Sequence, residues 1–167
     1  QILSPCLIIT NFILYYFIRK KRKDNPLVYY FIYLCYSFLM EPFKENIIDA
    51  FRVIDRKDFV LKEYENEAYE DIPLPIGFGQ TISQPTTVAL MLELLQPQKG
   101  NKILDIGSGS GWTTALLAQI VGKEGKVFGV EKITQLVSFG KENLEKYHFF
   151  NVEIRKAGKE LGLKKEA

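Results

Sequence analysis

The chain has little of the chemistry that hydrolytic and metal-dependent sites usually need. It holds two cysteines, Cys6 and Cys35, and one histidine, His148, in 167 residues. No C-x-x-C pair or Cys/His cluster occurs, which argues against a structural zinc site and leaves no metal ligands to assign. The lone histidine sits in Tyr147-His148-Phe149-Phe150 at an expected helix end. Packing or charge explains it there, and a Ser/His/Asp triad is excluded as a basis for activity. Both cysteines lie in apolar runs and read as small buried hydrophobes. A net charge of only +2 gives no electrostatic motive for a nucleic-acid partner. Internal repeats and low-complexity tracts are missing. No apolar run reaches the roughly 20 residues that cross a bilayer.

The charge that exists is unevenly placed. Residues 1–40 carry +4, from Arg19-Lys20-Lys21-Arg22-Lys23 against Asp24, which leaves −2 for residues 41–167. Apolar stretches rich in Phe and Tyr, Leu7 to Ile18 and Leu27 to Met40, flank this basic run. A secretory signal would put its basic residues first and end at a small-residue cleavage site, which is not seen. Three readings fit: a membrane-surface or re-entrant anchor, an extra buried hairpin, or sequence foreign to the natural protein. Ordinary soluble patterning opens at Met40, which favours the third reading over membrane contact.

What is present is concentrated around one block, Ile103-Leu104-Asp105-Ile106-Gly107-Ser108-Gly109-Ser110-Gly111-Trp112. An apolar β-type run ends in an acid, three glycines follow at alternate positions, and a helical pattern begins at once. Glycine permits the sharp strand-to-helix turn and a close approach of backbone to ligand. Twenty residues after Gly111, a second apolar run ends in Glu131, whose carboxylate suits ribose hydroxyls. This is a nucleoside-binding βαβ unit. A dinucleotide loop needs G-x-G-x-x-G, and its third glycine would fall on Trp112 or Thr114. The observed spacing, G-x-G-x-G with Asp105 two residues ahead, resembles motif I of class I S-adenosylmethionine-dependent methyltransferases.

Around this block the periodicity predicts a regular plan. Phe43, Ile47, Phe51 and Ile54 share a helical face. Residues 59–82 read as an irregular loop region, and a helix starts near Pro85 with Val88, Met91, Leu92 and Leu95 inward. Strands are expected at Lys102 to Ile106, Lys126 to Glu131 and Asn151 to Ile154. The helices between them run to Val121 and through Ile133, Leu136, Val137, Gly140 and Leu144. Residues 41–98 thus form a helical and loop region, and residues 99–167 a partial cofactor-binding domain. The fold class is α/β, a Rossmann-like doubly wound sheet with its first three strands, so the chain is expected to be a fragment.

Three upstream blocks narrow the family. They are Ala50 to Val60, Ala68-Tyr69-Glu70-Asp71-Ile72-Pro73-Leu74-Pro75-Ile76-Gly77, and Gly79-Gln80-Thr81-Ile82-Ser83-Gln84-Pro85. With the glycine block they resemble the protein-L-isoaspartate O-methyltransferases from about residue 46 onward. The resemblance implies methyl transfer from S-adenosylmethionine to isoaspartyl (and D-aspartyl) carboxylates in damaged proteins, by a cytoplasmic monomer. It makes Ser83 the active-site serine and lays Gln80, Thr81, Ile82 and Ser83 over the cofactor. Asp105, Gly107, Ser108, Gly109 and Gly111 become the cofactor loop, and Glu131 with Lys132 the ribose pair. The family's Gly-Asp-Gly after the third strand reads Ala157-Gly158-Lys159 here, so the adenine-contacting acid is missing unless Glu160 replaces it. Read without the resemblance, Ser83 is a helix cap ahead of Pro85, and Trp112 is packing beside the loop. Tyr64 and Tyr69 fit either a peptide groove or the core. Two alternatives accompany the main reading: a class I methyltransferase with another acceptor, or an inactive cofactor-binding or membrane-associated fragment.

Overall fold

The computed structural model describes residues 44–158, so Cys6, Cys35, Phe43, Lys159, Glu160 and the apolar runs before Met40 lie outside it. The first helix, α1 (Glu45–Val53), buries Ile47, Ala50 and Phe51, and Ile54 closes it against the core. Short 3-10 turns follow at Arg56–Phe59 and Lys62–Tyr64. The segment expected to be irregular then holds a hairpin. Strand β1 (Leu74–Gly77) runs antiparallel to β2 (Gln80–Ile82), pairing Leu74 with Ile82 and Pro75 with Thr81. Phe78 and Gly79 make its two-residue turn, with φ of 54° and 68°. Turns with both central residues left-handed match the twist of a hairpin, which is how so glycine-rich a stretch becomes ordered.

Helix α2 (Pro85–Leu95) begins at the expected proline. Its inward stripe is Pro85, Val88, Ala89 and Leu92. Met91 and Leu95, expected inward, are 46% and 54% exposed. The helix is apolar almost all round, so composition does not mark its narrow packed stripe.

The main sheet is parallel, in the order β3 (Lys102–Ile106), β4 (Lys126–Glu131), β5 (Val152–Lys156). The first two strands have the expected bounds. The third starts one residue later and runs on to Lys156, and the Asn151 side chain ahead of it donates to the Ala118 and Gly122 carbonyls. Helices α3 (Trp112–Val121) and α4 (Thr134–Glu145) return over one face, as right-handed crossovers require. Facing them are the rows Ile103, Val127, Val152 and Asp105, Gly129, Ile154. The rows Leu104, Phe128, Glu153 and Ile106, Val130, Arg155 point the other way. No helix covers that second face among the described residues, and Ile106 is 62% exposed there. Arg155 and Lys126 shelter Phe128, lying 5.0 and 5.6 Å from its ring centre. Among the described residues no helix is long and apolar enough to cross a membrane, and no group of side chains is arranged to hold a metal ion.

Candidate active site

The glycine loop leaves β3 and enters α3. Gly107, Gly109 and Gly111 have φ of 83°, 53° and 89°, so their alternation answers a backbone that is left-handed at every second residue. Four of the loop's N–H donors are spent inside the protein. The N–H groups of Gly107 and Ser108 donate to the Val130 carbonyl (2.8 and 3.1 Å), that of Gly111 to Ser108 (2.8 Å), and that of Gly109 to Glu131 Oε2 (3.0 Å). Loops that grip phosphate turn such donors outward, so this geometry agrees with the failed dinucleotide spacing. Ser108 and Ser110 are buried, and Ser108 lies against Gly129, so the loop's outer side offers backbone and not hydroxyls. A Cβ on Gly107 would meet nothing within 4 Å, whereas one on Gly109 would lie 3.1 Å from Ile76 Cδ1. The hairpin thus sits on Gly109, and the open space is above Gly107.

Glu131 ends β4 and is buried. Its two oxygens accept the N–H groups of Gly109 (3.0 Å) and Ile133 (2.8 Å), so it ties the glycine loop to the start of α4. A carboxylate has about four lone-pair sites, which leaves capacity for hydroxyl donors. Lys132 is exposed, and its carbonyl accepts from the Lys156 ammonium. Asp105 faces the helices and accepts the Thr114 hydroxyl at 2.5 Å. Burial pushes its carboxyl above the ordinary range, the Thr114 bond pulls it back, and the nearby Glu131 charge pushes it up again.

The other wall is the hairpin and the chain that follows it. Gln80, Thr81 and Ser83 are exposed, while Ile82 is buried opposite Leu74. Ser83 does not cap α2. The residue at the cap position is Gln84, which makes no side-chain cap bond, and Asp71 supplies the cap by accepting the Thr86 N–H at 2.8 Å. No described residue bonds the Ser83 hydroxyl, whereas its carbonyl accepts from Arg56 at 3.1 Å. Arg56 is fully buried and stands 5.3 Å from the Trp112 ring centre. Trp112 itself packs edge-on to Phe51, as its packing role required. Tyr64 and Tyr69 lie against the core, and the Tyr69 hydroxyl donates to the Asp55 carboxylate. Behind them the Tyr147 hydroxyl donates to Asp58 (2.5 Å) and accepts the Asp55 N–H (2.8 Å). Burial and that carboxylate hold its phenol well above the usual tyrosine range. Arg56, Asp71, Thr114 and Tyr147 were not singled out from sequence. Their partners are distant in the chain, and no local pattern marks them.

A sequence profile of known families matches residues 41–167, and its description is protein-L-isoaspartate(D-aspartate) O-methyltransferase. The chain belongs to that family. The protein-L-isoaspartate O-methyltransferase of Aeropyrum pernix is 52% identical over 101 residues, which are 60% of this chain and 39% of that protein. Protein-L-isoaspartate O-methyltransferase 2 of Archaeoglobus fulgidus is 45% identical over 122 residues, 73% of this chain and 56% of its relative. A solved protein-L-isoaspartate O-methyltransferase superposes with a TM-score of 0.63 at 32% identity, over 69% of this chain and 38% of that one. A candidate protein-L-isoaspartate O-methyltransferase from Plasmodium falciparum, solved with S-adenosyl-L-homocysteine, gives a TM-score of 0.60 at 28% identity, over 73% and 58%. The fold is therefore the Rossmann-like α/β arrangement of the class I methyltransferases, incomplete, with an N-terminal helical region. The chain spans about half the length of the curated relatives it matches.

Proposed function

We propose that the protein carrying this chain transfers a methyl group from S-adenosylmethionine to the free carboxylate of L-isoaspartyl (the α-carboxylate) and D-aspartyl (the β-carboxylate) residues in damaged proteins. The observation that carries this reading is Ser83. Its hydroxyl is exposed and unbonded, while the backbone around it is fastened by Arg56 on one side and Asp71 on the other. A side chain that does nothing for the fold, on so firmly held a segment, is suited to a ligand.

The residues fit S-adenosylmethionine. Asp105, Gly107, Ser108, Gly109 and Gly111 would hold its amino-acid end, Glu131 and Lys132 its ribose, and Gln80, Thr81, Ile82 and Ser83 would cover it. Inward-turned loop donors suit a ligand without phosphate, and the space above Gly107 admits one. When bound, the cofactor supplies an electrophilic methyl group on a sulfonium. The acceptor carboxylate is ionised at neutral pH, so no strong general base is required. Ser83 acts by hydrogen bonding and orientation, and placement of this kind can supply up to about 7–11 kcal/mol. Isoaspartyl-containing proteins and peptides are the corresponding partners, and the cytoplasm the corresponding setting.

The test uses the protein expressed from its whole gene. Calorimetry should detect S-adenosylhomocysteine binding and none of NAD, and labelled methyl groups should pass to an isoaspartyl peptide but not to its aspartyl twin. Transfer only to other acceptors would assign a different class I activity. Binding of NAD alone would overturn the cofactor as well.

A further inference from the structure

We propose that Arg56 is the positioning residue of the acceptor side of the site: one guanidinium sets where Ser83 stands relative to the glycine loop. For its catalytic consequence this rests on the role proposed for Ser83.

The argument begins with donor geometry. Nη1 donates to the carbonyls of Ala68 (3.0 Å) and Glu70 (3.1 Å), and Nη2 to those of Ile72 (2.8 Å) and Ser83 (3.1 Å). Residues 68–72 lead into β1, and Ser83 directly follows β2. A single buried side chain therefore closes both ends of the hairpin. The same guanidinium lies over Trp112, the first residue of α3, next to Gly111 of the loop. Hairpin base and glycine loop are thus referred to one rigid group. The anchor is itself anchored. Asp55, the preceding residue, receives the Tyr69 hydroxyl and gives its N–H to Tyr147 at the end of α4.

Only arginine suits this position. Its planar fork reaches carbonyls on the separated segments before β1 and after β2 in fixed directions, whereas a lysine ammonium is a single point with three donors. A charge-bearing residue this deeply placed is expensive to keep unless its donors are used. Here four of its five N–H donors fasten the backbone of the segment that presents the Ser83 hydroxyl.

The experiment compares Arg56→Lys and Arg56→Gln with the parent, in the protein expressed from its whole gene. Hydrogen exchange is read peptide by peptide, and methylation kinetics are read in parallel. In both variants amides of residues 68–84 should exchange roughly tenfold faster while those of β3, β4 and β5 keep the parental rate. Turnover on isoaspartyl peptide should fall about 10- to 100-fold, with S-adenosylhomocysteine affinity little changed. Uniformly faster exchange, or parental exchange in residues 68–84, would overturn the proposal. So would failure of both variants to fold where Trp112→Phe folds, since Arg56 would then be a general support of the core. If the parent transfers no methyl group, the proposed function fails, and the exchange pattern still decides the role of Arg56.

Discussion

Glu131 accepts N–H groups from the glycine loop and from the start of α4, so its removal acts on the fold as well as on any ligand. Glu131→Ala should cost about 1–3 kcal/mol for each donor left bare, read by urea denaturation, and should weaken S-adenosylhomocysteine binding in calorimetry. Glu131→Gln, which keeps an acceptor, should lose less; losses equal to those of Glu131→Ala would mean that a neutral acceptor does not replace the charged carboxylate. Asp105 behaves oppositely. Its folded carboxyl titrates above its unfolded value, so the ionised form is the one folding disfavours. That cost is present in full above the folded pKa and disappears as pH falls through it. Asp105→Asn should therefore raise the melting temperature at neutral pH, with the gap closing in the acid range; a gap independent of pH would remove burial as the cause. Ser83→Ala should leave the melting temperature alone and lower turnover, while Asp71→Ala should cost ~1 kcal/mol as the loss of a helix cap. At this scale the sequence disclosed residues whose meaning is local. Alternate glycines and an acid at a strand end are visible in spacing. Asp71 and Thr86 lie 15 positions apart, so their bond left no trace to read.

The elements meet closely where the glycine loop enters α3. A Cβ on Gly111 would lie 3.1 Å from the Gly140 carbonyl and 3.2 Å from Ile154 Cδ1, and one on Gly140 only 2.8 Å from that Ile154 methyl. Gly111→Ala should therefore destabilise by more than the ~1–2 kcal/mol of its left-handed backbone alone. Gly140→Ala, already helical, reports the crowding alone, against Ile154 of β5 and the Gly109 carbonyl of the loop. Thermal melts of the two variants separate conformational strain from contact, and equal losses would show that the left-handed backbone at Gly111 adds nothing measurable. The parallel strands and their helices were legible because apolar residues recur at the periods of strand and helix. The β1–β2 hairpin was hidden because strands of four and three residues are too short to show a period. Helix α2 was misjudged on one side because leucines and methionine surround it. Composition alone cannot say which of them finds a neighbour.

For the molecule as a whole, residues 1–40 stand apart from the family match at 41–167. Deleting them should leave the unfolding transition and S-adenosylhomocysteine affinity unchanged, and loss of cooperative unfolding would make them part of the domain. Which face of the sheet is covered was not legible, because β3 and β4 place apolar residues on both faces. On the face that no described helix covers, Leu104 and Ile106 are 38% and 62% exposed, and this has a consequence for behaviour in solution. Apolar surface in water favours contact with other apolar surface, and solutes tune that drive: sulfate strengthens it and urea weakens it. Wherever these two side chains remain uncovered, light scattering should climb with protein concentration, climb further with added sulfate and subside in mild urea. Leu104→Lys combined with Ile106→Lys should flatten all three responses without disturbing the helix-facing rows of the sheet.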